Sequence, residues 1–152
     1  LILTRVAVRL RNEGKSAEQI RDVLEKIKPR LRVYAVVDTL KYLVKGGRLS
    51  GAAGALGTIL SLKPIIQVRD GAVTSADKAR GARSAIRKLT HMVAKNPVDR
   101  RLPAAYAHAG DLETLSEMSR ALGVEAPTGW LGSVVGAHSG PGTVAFAYFV
   151  QN

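Results

Sequence analysis

Residues 64 to 69 (PIIQVR) and 72 to 76 (AVTSA) are separated only by Asp70-Gly71. Both turn residues tolerate the left-handed backbone that a two-residue connection demands, so the spacing predicts a β-hairpin. A lone hairpin is marginal in water, so other elements must cover one of its faces. Residues 31 to 37 (LRVYAVV) predict a strand, with Leu31, Val33 and Ala35 alternating against Arg32, Tyr34 and Val36. Residues 102 to 108 (LPAAYAH) predict another. Two late apolar segments, GWLGSVVGAH and TVAFAYFV, flank the turn Ser139-Gly140-Pro141-Gly142 and predict two more.

Helical periodicity fills the gaps. Ile2, Leu3, Val6, Ala7 and Leu10 share one face, with Gly14 as the stop. Ser16 and Gln19 form a capping box ahead of the stripe Ala17, Ile20, Val23, Leu24 and Ile27, which Pro29 closes. A short helix from Thr39 ends at Gly46 and Gly47, and Ser50 can cap the small-residue helix GAAGALGTIL. Ala82, Ala85, Ile86, Leu89, Met92 and Val93 define a helix ending near Asn96-Pro97. Asp111 caps another that carries Leu112, Leu115, Met118 and Leu122. The fold class is α/β of the α+β type: a mostly antiparallel or mixed sheet of about five or six strands flanked by helices. Leu1 lies inside a helical pattern without a capping signal, so the sequence reads as the downstream part of a longer protein.

At 152 residues and 46% hydrophobic content the chain can build a real core. No apolar run approaches the roughly 18 to 20 residues of a bilayer span, and the N-terminus lacks the zones of a signal peptide. With no cysteine, disulfides, thiolate catalysis and Cys-ligated zinc are excluded, and a cytoplasmic location is expected. The net charge of +11 is lopsided. Residues 1 to 100 carry 21 basic and 8 acidic groups, a balance of +13, against 2 and 4 in residues 101 to 152. A positive surface over part of the fold suits nucleic acid, anionic ligands, acidic proteins or lipid headgroups.

Several motifs are excluded by context. Gly14-Lys15-Ser16 lacks the phosphate loop's earlier glycine, since position 9 is Arg, and it follows a helix. His91, His108 and His138 lie on three segments without carboxylates at ligand spacing, so no metal site is expected. No G-x-S-x-G elbow exists. Arg80, Arg83 and Arg87 recur at helical spacing, either as a solvated face or as a docking surface for an acidic partner or phosphate.

Two segments carry more chemistry. In Lys45-Gly46-Gly47-Arg48-Leu49-Ser50-Gly51, two glycines free the backbone beside an arginine and a helix start, which makes an anion site. In Gly136-Ala137-His138-Ser139-Gly140-Pro141-Gly142, a His and a hydroxyl are expected at the end of an apolar strand. The turn beside them is expected to offer free backbone amides.

These segments also carry a family resemblance. Thr39-Leu40-x-Tyr42-Leu43-x-x-Gly46-Gly47-Arg48-Leu49-Ser50 comes first, followed by Leu60-x-x-Lys63-Pro64-Ile65-Ile66 with Asp70-Gly71. Lys78-x-Arg80 and His138-Ser139-Gly140-Pro141-Gly142 complete four blocks in register. From about residue 36 onward the chain resembles the DegV family of fatty-acid-binding proteins, with Ser139 where the family usually has Thr. The resemblance implies a C-terminal lipid-binding domain over residues 31 to 152, and residues 1 to 30 as a helical segment joining an N-terminal domain that the sequence lacks. It implies a long-chain fatty acid enclosed at the domain junction, with its carboxylate presented to a separate fatty acid kinase that forms an acyl phosphate. No cofactor is implied, and no catalysis by this chain.

On that reading Arg48, Ser50, His138, Ser139, Gly140 and Gly142 hold the head group. Leu56, Ile59, Leu60, Ile65, Ile66 and Phe146 line the acyl chain, and Arg80, Arg83 and Arg87 dock the kinase. Arg48 supplies an always-charged fork suited to a carboxylate. Two rival functions stand beside this one. A basic nucleic-acid-binding module accounts for the charge but lacks aromatic residues interleaved with the arginines. An enzyme using His138 as general base lacks a nucleophile or metal partner.

Overall fold

A computed structural model describes residues 1 to 49 and 62 to 151. The expected helix after Ser50, with Leu56, Ile59 and Leu60, lies outside the described residues. Two helices open the chain, α1 (Ile2–Asn12) and α2 (Ala17–Ile27), followed by a 3-10 turn over Lys28–Arg30. Next come β1 (Leu31–Val36), α3 (Lys41–Lys45), the hairpin β2 (Leu62–Arg69) and β3 (Ala72–Arg80), and α4 (Ala82–Lys95). The chain ends with β4 (Ala105–His108), α5 (Leu112–Leu122), β5 (Thr128–Trp130), α6 (Ser133–Ser139) and β6 (Val144–Phe149).

The strands form one sheet in the order β3-β2-β1-β6-β4-β5, antiparallel throughout except for the parallel β4/β5 pair. The sheet is therefore mixed, as the alternation and turn signals imply. At the hairpin Asp70 and Gly71 both take positive φ, 52° and 77°, as a two-residue turn requires. The Ser16 hydroxyl accepts from the Gln19 amide while the Gln19 side chain accepts from the Ser16 amide, completing the capping box. Asp111 caps α5 by accepting from the Thr114 amide at 2.9 Å.

One expected strand is corrected. GWLGSVVGAH divides into the three-residue edge strand β5 and the helix α6, so His138 sits in the last turn of a helix rather than at a strand end. The reason is topological. β6 pairs between β1 and β4, so the chain leaving the edge strand must cross β4 to reach its place, and it cannot turn straight back. Val134 and Val135, which suggest a strand locally, are exposed on that crossing helix.

The two faces of the sheet are covered differently. One face packs Tyr34, Val36, Ile65, Tyr106, Phe146 and Tyr148 against Ile86 and Leu89 of α4 and Leu115 and Met118 of α5. Among the described residues the opposite face is covered at its ends. Leu40, Leu43 and Leu49, in and around α3, cover Ala35, Ile66 and Ala145. Ile2, Val6 and Leu10 of α1 cover Ala105 and Phe149 at the other end. A buried carboxylate ties the rim near that second end: Asp99 accepts from Arg30 at 2.5 Å and from Arg101 at 2.9 Å.

Candidate functional site

Three close contacts join the segment around α3 to the segment that ends α6. The Asp38 carboxylate lies against Gly142, the Tyr42 ring against Gly140, and the His138 ring against Gly46. A Cβ at Gly46 would stand 2.0 Å from His138 Nδ1, one at Gly140 2.4 Å from the Tyr42 ring, and one at Gly142 2.5 Å from the Asp38 carboxylate. A side chain at any of the three would have to displace the group it meets. Residues 38, 42 and 46 lie before, within and just after α3, while 138 lies in the last turn of α6 and 140 and 142 in the turn beyond it. Gly46 has an ordinary φ of −79°, so close approach, not backbone freedom, is what requires glycine there.

Arg48 completes the cluster. Its Nη1 donates to the Gly46 carbonyl at 2.6 Å, so the guanidinium and the His138 ring both contact one glycine although they lie far apart in sequence. Ser139 follows on the buried side, its hydroxyl without a hydrogen-bond partner among the described residues. Thr143 pins the turn, donating from Oγ1 to the carbonyls of Ser139 at 3.0 Å and Gly140 at 2.9 Å.

The expectation of free amides in this turn is corrected. The Gly140 amide donates to the Gly136 carbonyl at 2.8 Å and the Gly142 amide to the Ala109 carbonyl at 2.9 Å, while Pro141 has none. Both are committed to closing α6 and to fixing the loop after β4. Charge and donors for a ligand must come from side chains. Asp38 and Lys63, paired with each other beside Gly142, join this set. Sequence reasoning passed over both as site residues, although Lys63 stands in one of the four blocks. Ser50 lies outside the described residues.

On the sheet face that α3 also covers, the described residues leave a trough of about 430 Å³ between α1 and α6. Its floor is made of small residues in register. Ala107 pairs with Ala145 and Ala105 with Ala147 across β4 and β6, and Val33 continues the second row onto β1, while Ala35, opposite Ala145, lies under α3. Leu3 from α1 and Val135 from α6 form the sides. On the reverse face the same strands carry Tyr106, Phe146 and Tyr148, so β4 and β6 alternate alanine with aromatic residues. That alternation was the signal in the sequence, and the alanines were passed over because they bury so little.

The acyl-chain candidates accordingly separate. Ile66 lies on the trough side of the sheet, while Ile65 and Phe146 are fully buried on the helix-packed side, Phe146 stacked between Tyr106 and Tyr148 at 4.8 and 5.0 Å. The arginines also divide. Arg83 and Arg87 line a cleft of about 590 Å³ between α4 and α5 with Arg120 and Glu117, whereas Arg80 is exposed at the end of β3. Arg83 reaches Glu117 only at 3.8 Å. Among the described residues there is no group of His, Asp and Glu suited to a metal, and no helix long and apolar enough to cross a membrane.

Fold and site together define an α/β domain with an apolar trough and a cluster of polar side chains. The chain belongs to the DegV family, whose model, described as "Uncharacterised protein, DegV family", matches residues 2–151. A DegV domain-containing protein of Streptococcus pyogenes is 34% identical, aligned over 99% of this chain and 54% of its own length. One of Clostridium acetobutylicum is 31% identical over 90% of this chain and 51% of its own. Among solved structures, a fatty-acid-binding DegV family protein from Thermus thermophilus matches with a TM-score of 0.86 and 30% identity, covering 98% of this chain and 56% of its own. Another, from Streptococcus agalactiae, gives 0.79 and 26% over 99% and 55%. The chain spans about half the length of these relatives.

Proposed function

We propose that this chain is the lipid-holding part of a cytoplasmic fatty-acid-binding protein that has no catalysis of its own. The observation that carries the reading is the alanine-floored trough on the sheet face that α3 also covers, flanked by α6, the helix whose last turn holds His138 against Gly46 and so near Arg48. Its volume falls in the range of small-molecule sites, roughly 300 to 1,000 Å³, and its floor is apolar, as an acyl chain needs. A carboxylate leaving water needs a paired cation and hydrogen-bond donors, or it protonates. Arg48 would supply the cation, and His138 and the unpartnered Ser139 hydroxyl the donors, with Ser50 of the neighbouring segment as a further candidate. The Thermus and S. agalactiae proteins, described as binding fatty acids, support the ligand class.

Gly140 and Gly142 serve this site by shape, admitting Tyr42 and Asp38, and Ile66 is the described member of the acyl set that faces the trough side. Residues 1 to 30 would pack one end of this domain and lead to a second domain that closes the site. The family resemblance extends the proposal to presentation of the carboxylate to a separate kinase, with Arg83 and Arg87 as the acidic partner's docking surface and Arg80 at its margin. Arg48→Ala in the intact natural chain should abolish phosphate transfer to the acid even where some lipid stays bound. Arg83→Glu with Arg87→Glu should slow kinase coupling and its salt dependence without changing bound lipid. Native mass spectrometry of the intact chain tests the core of the proposal: a co-purified long-chain acid supports it, and nucleic acid in its place overturns it.

A further inference from the structure

We infer that β3 is a docking edge for a second copy of this chain, the two β3 strands pairing antiparallel about a two-fold axis at Thr74. β3 is one border of the sheet, and no described strand pairs with its outer side. The other border, β5, is three residues long and so a poor template for pairing, whereas β3 runs for nine. The first five residues of β3, Ala72 to Ala76, carry no charge, and Thr74, Ser75 and Ala76 are exposed. Beyond them the register slips by a bulge, and Lys88 of α4 holds both the Asp77 carboxylate and the Lys78 carbonyl at 2.9 Å. The length of strand free to pair therefore ends at the bulge.

The hairpin turn determines which backbone groups face outward. A two-residue connection closes on a hydrogen-bonded pair, here Arg69 with Ala72, so the next such pair is Gln67 with Thr74. Val73 and Ser75, opposite Val68 and Ile66, then turn their N–H and C=O groups away from β2. A two-fold axis at Thr74 sets Val73 of each copy against Ser75 of the other, and all of these groups find partners. Registers centred on Val73 or Ser75 would instead meet Gly71 of the turn or Asp77 beyond the bulge. The same register brings Lys78 of each copy opposite Asp70 at the other's hairpin tip, and Arg69 diagonally opposite Asp77. Opposite charges therefore face each other at both ends, and the self-complementary contact closes as a dimer.

The 152 residues contain no cysteine, so a single introduced one reports its own neighbour. Thr74→Cys in the intact natural chain should form an intermolecular disulfide under mild oxidation about tenfold faster than Val73→Cys or Thr128→Cys on the β5 border, because only the axis places two identical residues within disulfide reach. The unsubstituted chain is the control. Sedimentation equilibrium of the intact natural chain should show a dimer that Ser75→Pro abolishes, since proline there removes an outward N–H and no bond to β2. Lys78→Glu should weaken it about tenfold, as two opposite-charge pairs become like-charge pairs. Circular dichroism checks folding, and the cross-linking rates decide alone should Ser75→Pro not fold. A chain that stays monomeric at every concentration, a dimer that survives in folded Ser75→Pro, or a Thr74→Cys rate no greater than that of Thr128→Cys overturns the inference. None of these outcomes bears on the fatty-acid reading.

Discussion

The two faces of β4 and β6 are built for different ends, although they come from alternate residues of the same strands. Toward α4 and α5 the strands present Tyr106, Phe146 and Tyr148, all close-packed and almost wholly buried. Toward α1 and α6 they present Ala105, Ala107, Ala145 and Ala147 under an open trough. The lesson is a division of labour within a period of two. One face supplies the apolar burial that stabilises the fold, and the other gives up side-chain volume so that something else can lie on it.

The comparison breaks most easily at Phe146. Phe146→Ala should cost about 4 kcal/mol in urea unfolding, because it opens a cavity between the Tyr106 and Tyr148 rings. A cost below about 1 kcal/mol would mean that the stabilising face has been misidentified. The rim comes next. The hydrogen bond from Arg101, and then that from Arg30, hold the Asp99 carboxyl well below the usual carboxylate range despite its burial. Asp99→Asn should therefore cost about 3 kcal/mol at neutral pH. The sign follows from the depressed value. The contribution is fully present above the ordinary carboxylate range near pH 4 and fades as the pH falls below it. Stability curves of the two proteins should converge in acid, and a constant gap down to low pH would contradict the assignment.

Tyr148 gives a smaller effect of opposite sign. Its buried hydroxyl has no partner among the described residues, and burial pushes its ionisation upward. Tyr148→Phe should leave stability unchanged or raise it by up to about 1 kcal/mol, and a clear loss would reveal a partner for that hydroxyl. Least of all should be felt on the trough side. Ala107→Leu is expected to change stability by less than about 1 kcal/mol, since open space receives the added carbons, while retention of bound fatty acid in native mass spectrometry is lost. A destabilisation like that of Phe146→Ala would erase the contrast between the faces.

The parts of this architecture legible in the sequence are those determined locally. Asp70-Gly71 implies its hairpin because the turn needs two left-handed residues in succession, and Ser16 with Gln19 implies a helix start. Arg48 and His138 stood out because glycines surround them, and the structure brings both to Gly46. What escaped depends on distant partners. The amides of Gly140 and Gly142 look free until Gly136 and Ala109 are seen to accept from them. Residues 133 to 139 look like a strand until the sheet order demands a crossing. The trough itself was hidden because large residues attract attention as pocket candidates. Space is made by small ones, and Phe146 and Ala147, adjacent in the chain, face opposite sides of the sheet.

The most direct test of that division is to observe where a bound acyl chain lies. With alanine methyls isotopically labelled in the intact natural chain, nuclear Overhauser contacts to a bound long-chain acid should appear at Ala105, Ala107, Ala145 and Ala147, and none should reach the Phe146 ring. Contacts to Phe146 or Tyr106 without contacts to those methyls would place the ligand on the helix-packed face and contradict the account.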